Sequence, residues 1–213
     1  MEEKFIISIG RQTGSGGLTI AKELSKQLGI PCFDKELIQL ASEESGLGKE
    51  FFENIDEKTS HSLFGGLFGF RNTLVDEVYS GVYLSNESLF NIQSDVIRGL
   101  AEKESSIFIG RCADYVLKNS DNCLNIFICA NTNDRVQRIS EIREITEKKA
   151  LDLIEKSDKT RASYYNYFSN KEWGKAESYH LCINSSVLGI DETVAFILEF
   201  AAKKFGDIES NKK

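Results

Sequence analysis

Between Lys4 and Leu24 the chain reads KFIISIGRQTGSGGLTIAKEL. Its first part, Lys4–Ile9, is a short apolar run without strict alternation, the pattern of a strand covered on both faces. Its last part sets Leu18, Ala21 and Leu24, then Leu28, at helical spacing, and Gly29 supplies a stop. Between the two lies Gly10-Arg11-Gln12-Thr13-Gly14-Ser15-Gly16-Gly17. Glycine admits positive φ and lets the backbone approach a ligand closely, so such a turn can aim successive N–H groups at one anion. The start of the helix near Leu18 adds its positive dipole end. Strand, glycine-rich turn and helix in this order point to a phosphate-binding loop, against the plainer reading of a structural turn.

The spacing departs from GxxxxGK[ST], the usual form of such a loop. With Gly16 as the second glycine, Arg11 stands where the first should be, Gly17 in the lysine position and Leu18 in the Ser/Thr position. Arg11 is then the nearest substitute cation for the phosphates. Thr19, one residue late, offers the hydroxyl for a magnesium ion.

The rest of the chain repeats the opening pattern. Ile30–Phe33, Ser106–Ile109, Asn125–Cys129 and Tyr179–Ile183 are further short runs rich in Ile and Phe, expected as strands. Lys35–Ser45, Thr73–Lys103, Asn133–Arg143 and Glu192–Phe205 are expected as helices. This alternation predicts an α/β fold with a mainly parallel sheet. His61–Phe70, with three Gly and three Phe in ten residues, reads as a loop packed down by its aromatics, or as a hinge or subunit contact. Asp207–Lys213 is polar and expected to fray.

Composition bounds the partners. The 213 residues suit one domain, and 28% charged residues against 41% apolar ones describe a globular chain. A net charge of −7 gains nothing from counterion release, so nucleic acid is not an expected partner. No apolar run approaches the length of a membrane span, so no membrane is expected either. Five cysteines without a CxxC pair suit reduced thiols and a cytosolic protein, not a thiolate metal site. Asp134–Lys175 stands apart, with ten basic and eight acidic residues; some of these cations can face an anionic ligand.

Six strings in order carry a resemblance: ISIGRQTGSGGLTIAKEL, GIPCFDKELI, IRGLAEK, FIGRCADYVL, SDKTRASYYNYF and YHLCINSS, from Ile7 to Ser186. Together they resemble the motifs of the cytidylate kinase-like family, among the phosphate-loop nucleoside monophosphate kinases. The resemblance implies a three-layer α/β fold, a mainly parallel five-stranded sheet flanked by helices, and a helical lid. One kinase-like domain would span 1–206, its lid lying at about 134–175, with 207–213 as a flexible tail. A lysine-free GSGG loop is itself typical of this branch, and the family's Glu after the loop Arg is Gln12 here. The implied activity is ATP- and magnesium-dependent phosphoryl transfer to a nucleoside monophosphate, CMP or dCMP foremost. The alternatives are a kinase for another small metabolite and a nucleotide-binding regulator with little turnover.

Site residues follow one by one. The ATP side would be Arg11, Gly14, Ser15, Gly16, Gly17 and Thr19, with Asn184 and Ser185 resembling the adenine-side loop. Arg111 follows a strand at the edge of a parallel sheet where ligands bind, and its guanidinium can hold a phosphate bidentately. It resembles the family's Gly-Arg pair. The acidic residue expected two before or directly after it is Ile109 or Cys112 here, which leaves Asp114 as the carboxylate for magnesium or cytosine. Asp34 resembles the aspartate at the acceptor entrance, although it also suits a helix N-cap. Arg98 is either an acceptor-phosphate contact or a solvated helix charge. Lys159 and Arg161 resemble the catalytic cations of the lid, with Arg135, Arg138 and Arg143 as further lid cations. Phosphoryl transfer needs positive charge around the moving group more than it needs an acid or base.

Overall fold

The computed structural model describes residues 4–34, 37–38 and 83–206. The glycine- and phenylalanine-rich stretch 61–70, most of the helix expected over 35–45, the start of that over 73–103 and the tail 207–213 lie outside the described residues. The chain divides into two compact units, one holding the described residues up to Phe33 and from Ala101 onward, the other those from Asp34 to Leu100.

The first unit is built on five strands, β1 (Ile6–Arg11), β2 (Cys32–Phe33), β3 (Ser106–Ile109), β4 (Cys123–Cys129) and β5 (Leu181–Asn184). Every pair is parallel and the order is β2-β3-β1-β4-β5. Ile9 lies between Ile109 on β3 and Ile126 on β4. Ile7, Ile9, Ile107, Ile109, Leu124, Ile126 and Ile128 form one buried face, and Ile6, Phe108 and Phe127 are buried as well. Both faces are covered, which is why these strands read as continuous apolar runs. β1 starts two residues later than the sequence suggests and runs on through Gly10 and Arg11, which pair with Phe127 and Ile128.

Helices α1 (Gly17–Leu28), α2 (Tyr83–Lys103), α3 (Ala113–Val116), α4 (Thr132–Arg143), α5 (Glu147–Ser169) and α6 (Ser185–Phe205), with a short 3-10 turn at Ala176–Ser178, complete the described elements. Ile20, Ala21, Leu24 and Leu28 of α1 join Val194, Ile197 and Ala201 of α6 in the core on the sheet. Gly29 closes α1 in the left-handed conformation, its N–H reaching Ser25 O. Two helices are longer than periodicity shows. α6 begins at Ser185 because Asn184 caps it, but Gly189 breaks the run with φ 79° and ψ 177°, so only its second part reads as a regular helix. α5 begins at Glu147 behind a Thr146 cap, and its thin buried stripe (Ala150, Ile154, Tyr165) gives little hydrophobic signal.

In the second unit, Asp34 Oδ1 accepts from Leu37 N–H at 3.1 Å and its carbonyl accepts from Ile38 N–H at 3.0 Å, capping a helical turn. The part of α2 up to Leu100 buries Gln93, Val96 and Ile97. Among the described residues no helix is long and apolar enough to cross a membrane.

The chain leaves β1 toward β2 on one side and later passes from β3 across to β4 on the other. The C-terminal end of β1 is therefore the point where crossovers diverge, the usual place for a ligand on an open parallel sheet.

All five cysteines are free thiols. Burial, with the Asp114 charge adding to it, pushes the Cys112 and Cys123 thiols up to about 12. Cys182 is exposed. Iodoacetamide at mildly alkaline pH is expected to label Cys182 in the native protein and to leave Cys112 and Cys123 unmodified until the chain unfolds. Peptide mass mapping checks this; native labelling of either buried thiol as fast as Cys182 would contradict the packing.

Candidate functional site

Past β1 the strand pairing continues for one step, with Gln12 N–H donating to Ile128 O at 3.0 Å. The chain then turns through Gly14 (φ 79°) and Gly16 (φ 78°), both left-handed, where a side chain would be strained. Gly16 is the N-cap of α1; it supplies no side-chain cap, and the first turn of the helix holds no acidic residue. The first N–H groups of a helix have no partner within the helix; that of Gly17 reaches Ser15 Oγ at 3.4 Å, and those that follow face an acceptor from outside the helix. The Thr13 hydroxyl is buried without a hydrogen-bond partner among the described residues. Such a loop fits a bound phosphate chain.

The missing lysine has a steric reason. A Cβ on Gly17 would lie 2.7 Å from Arg11 Cβ and 3.1 Å from Arg11 Cγ, so the arginine stem fills the space beside the lysine position. Arg11 then runs toward the turn after β3, where its Nη1 comes within 2.5 Å of the place a Gly110 Cβ would take.

The loop carbonyls are held by side chains from far along the chain. Arg161 Nη1 donates to Arg11 O at 3.1 Å, Arg135 Nε to Thr13 O at 2.8 Å and Arg138 to Gly14 O. Ser185 Oγ donates to Ser15 O at 2.7 Å. In a trans peptide the carbonyl and the following N–H point in opposite directions. Holding the carbonyls of Thr13 and Ser15 toward these donors therefore turns the N–H groups of Gly14 and Gly16 the other way. Asp158 Oδ1 accepts from Thr13 N–H at 2.7 Å, and Asp158 also pairs with Arg135. Burial works against the charge of Arg161, the Asp158 carboxylate supports it, and Arg135 opposes it.

A second cation stands at the end of β3. Gly110, Arg111 and Cys112 all have positive φ, at 74°, 55° and 54°. For the two residues with side chains this is uncommon and costs on the order of 1 kcal/mol or more each. The Arg111 guanidinium lies 5.4 Å from the centre of the Tyr164 ring. Burial raises the Tyr164 hydroxyl, and Arg111 opposes that shift through its charge and a hydrogen bond. Tyr164 is three residues beyond Arg161 on α5, so both arginines meet neighbouring parts of one helix face.

Other expected residues are engaged elsewhere. Asp114 is buried, accepts from the Tyr165 hydroxyl at 2.7 Å and lies 3.7 Å from Lys171 Nζ; burial raises its carboxyl against both partners. Asn184 Oδ1 accepts from Ser186 N–H and its Nδ2 donates to Asn131 Oδ1, both at 3.0 Å. Lys159 and Thr19 are exposed. Arg98, in the second unit, is half-exposed and pairs with Asp95 at 2.7 Å. The structure thus gathers Arg11, Gly14, Ser15, Gly16, Gly17, Arg161 and Ser185 at one loop, with Arg111 facing the adjoining helix. It does not bring Lys159, Asp114 or Asn184 into the loop's hydrogen bonds. Sequence reasoning passed over Asp158 and Thr13 as site residues. Asp158 and Arg161, three apart, share a helix face, and that spacing was the available signal. Among the described residues no cluster of three or more His, Cys, Asp or Glu could hold a metal ion.

The family model described as the cytidylate kinase-like family matches residues 6–187. Among solved structures, an uncharacterized protein from Eubacterium ventriosum ATCC 27560 is 27% identical with a TM-score of 0.69, over 93% of this chain and 98% of that one. Shikimate kinase from Bacteroides thetaiotaomicron is 14% identical with a TM-score of 0.51, over 92% and 97% of the two chains. Shikimate kinase from Acinetobacter baumannii is 13% identical with a TM-score of 0.50, over 95% of each. These last two share the fold. No curated protein matches the chain. The sheet and its flanking helices are the three-layer α/β phosphate-loop fold, and the family match makes the chain a small-molecule kinase by class. Kinases of this type generally use ATP and magnesium.

Restoring a lysine at the loop is expected to harm the protein. Gly17→Lys forces Arg11 aside and should lower stability by about 1–3 kcal/mol, as overpacking does, without tightening ATP. Thermal unfolding with ATP calorimetry tests this; unchanged stability with stronger ATP binding would contradict the placement of Arg11.

Proposed function

We propose, because the chain belongs to the cytidylate kinase-like family and its loop is built to hold phosphates, that it transfers the γ-phosphoryl group of ATP to a nucleoside monophosphate, CMP or dCMP foremost. The observation that carries this is the loop itself, with its carbonyls held outward by Arg161, Arg135, Arg138 and Ser185 and its helix start uncapped. ATP with magnesium would supply the transferable group and part of its counter-charge. The N–H groups of Gly14 and Gly16 and the first turn of α1, including Thr19, bind the phosphates, and those of Ser15 and Gly17 join them by giving up their long bonds to Gln12 O at 3.3 Å and Ser15 Oγ at 3.4 Å. Arg11 supplies the cation that the missing lysine would give. Arg161, catalytic in this reading, sits at the loop edge and uses the guanidinium N–H groups not spent on Arg11 O to meet charge on the moving group. Lys159 is a second lid cation on the same helix. Arg111 grips the acceptor phosphate, and Asp114 acts on that side by holding Tyr165 and so α5. Asn184 and Ser185 border the adenine.

Asp34 and Arg98 are not needed for this reading. In their own unit one caps a helical turn and the other is paired with Asp95. We place the protein in the cytosol, with small-molecule nucleotides as its partners and no nucleic acid or membrane.

The test is coupled ADP release across nucleoside monophosphates, run beside ATP calorimetry. Turnover with CMP or dCMP above the other acceptors supports the proposal; ATP binding without turnover favours a nucleotide-binding regulator. Arg161→Ala should cut kcat on the order of 10²-fold while both dissociation constants move much less, because the contact is made chiefly in the transition state. A kcat within about threefold of wild type would remove Arg161 from catalysis. Arg111→Ala should weaken the monophosphate far more than ATP, and lysine should rescue poorly because a bidentate fork is lost. Equal losses for both ligands would give Arg111 a structural role.

A further inference from the structure

One carboxylate stands among the cations of the loop. Asp158 Oδ1 takes the Thr13 N–H at 2.7 Å, and its other oxygen pairs with Arg135, the two side chains being 15% and 8% exposed. Arg135 completes the ring by donating Nε to Thr13 O at 2.8 Å. Both polar backbone groups of one loop residue are therefore held by one residue of α5 and one of α4, which also hold each other. Arg138, three residues along α4 from Arg135, donates to Gly14 O. Arg161, three residues along α5 from Asp158, donates to Arg11 O at 3.1 Å.

We propose that Asp158 is a positioning residue, whose carboxylate sets α5, and with it Arg161, in register with the phosphate loop. The role rests on reading that loop as a phosphoryl-transfer site. A carboxylate offers two acceptor oxygens, so Asp158 takes the backbone N–H on one and the guanidinium on the other, and its charge strengthens both bonds and fixes their geometry more tightly than a neutral acceptor would. Residues three apart on a helix lie one above the other, so a shift at Asp158 carries Arg161 with it. Asp158 also supports the charge on Arg161 against burial. In place of the carboxylate, an asparagine could keep the Thr13 contact through its oxygen. Its amide N–H would then face the Arg135 donors, leaving a largely buried guanidinium without its counter-ion. The result is a folded protein whose lid helix sits loosely on its loop.

The experiment compares wild type with Asp158→Asn in the full chain, using circular dichroism, ATP calorimetry, coupled ADP release and amide hydrogen exchange of the loop peptide. Wild type without turnover on any nucleoside monophosphate would overturn the nucleoside monophosphate kinase reading itself, before any variant is made. With wild type active, Asp158→Asn is expected to lower kcat by about fivefold or more while ATP affinity changes by less than that. Exchange at the Thr13 amide is expected to speed up, a local signal that a general loss of stability would not produce. A smaller fall in kcat, an equal loss of ATP affinity, or unchanged exchange at Thr13 overturns the positioning role. If Asp158→Asn does not fold, Asp158→Glu decides by the same three readings, since it keeps the charge and moves the carboxylate by one methylene.

Discussion

A backbone N–H with no partner inside a fold is unfavourable, and at the end of β1 Gln12, Thr13, Ser15 and Gly17 place theirs on Ile128 O, Asp158 Oδ1, Gln12 O and Ser15 Oγ, while those of Gly14 and Gly16 are turned away from the carbonyl ties beside them. The turn can hold that shape only because its carbonyls are fixed from behind. Arg11, Thr13, Gly14 and Ser15 each have their carbonyl bonded by a side chain from beyond residue 130. Gln12 is tied to β4 as well, its N–H reaching Ile128 O and its side-chain oxygen accepting from Ala130 N–H at 3.2 Å. The rest of the first unit is organised around this demand. β4 supplies the backbone ties, α4 and α5 the arginines, and the start of α6 the serine.

That division explains what the sequence disclosed and what it did not. The strand, glycine turn and helix at Lys4–Leu28 are local, so their order was legible, and that order pointed to a phosphate loop although the glycine spacing departs from the usual form. The strands were legible as apolar runs because both sheet faces are covered, as the buried Ile7, Ile6 and Phe108 show. The extent of α5 was not, because a helix whose buried stripe is Ala150, Ile154 and Tyr165 among charged residues gives little periodic signal. The clasp on the loop was not legible either. Its bonds join residues 122 to 170 positions apart, and the one local signal, Asp158 and Arg161 three apart on one helix face, is equally that of a surface ion pair. The vacant lysine position was visible in the sequence, but its cause, the Arg11 stem against Gly17, is a matter of three-dimensional packing.

Charge follows the same geometry. The chain carries a net −7, yet among the described residues Arg135, Arg138 and Arg161 converge on the loop carbonyls, with Asp158 as the carboxylate bonded to the loop. A cluster of cations on an acidic protein draws small anions to one place. The guanidinium groups are also spent on carbonyls, which fixes them in direction. An arginine with one N–H on the backbone keeps others in a rigid plane for a phosphate oxygen, an arrangement the flexible ammonium of lysine cannot copy.

Arg161 is held in place from two sides along one helix. Asp158, three residues before it, is bonded to the loop; Tyr165, four residues after it, donates to the buried Asp114 of α3. All three face the same way on α5, so the helix can neither roll nor slide without breaking one of these contacts. The Tyr165 bond carries an electrostatic burden, since burial raises the Asp114 carboxyl even with Lys171 nearby. A buried carboxylate bonded to a phenol is a weak means of adding stability, because removal from water offsets most of what the bond contributes. It is an effective means of fixing direction. With Asp158 anchoring the other side, the cation between them is set before any ligand arrives, as electrostatic preorganisation requires.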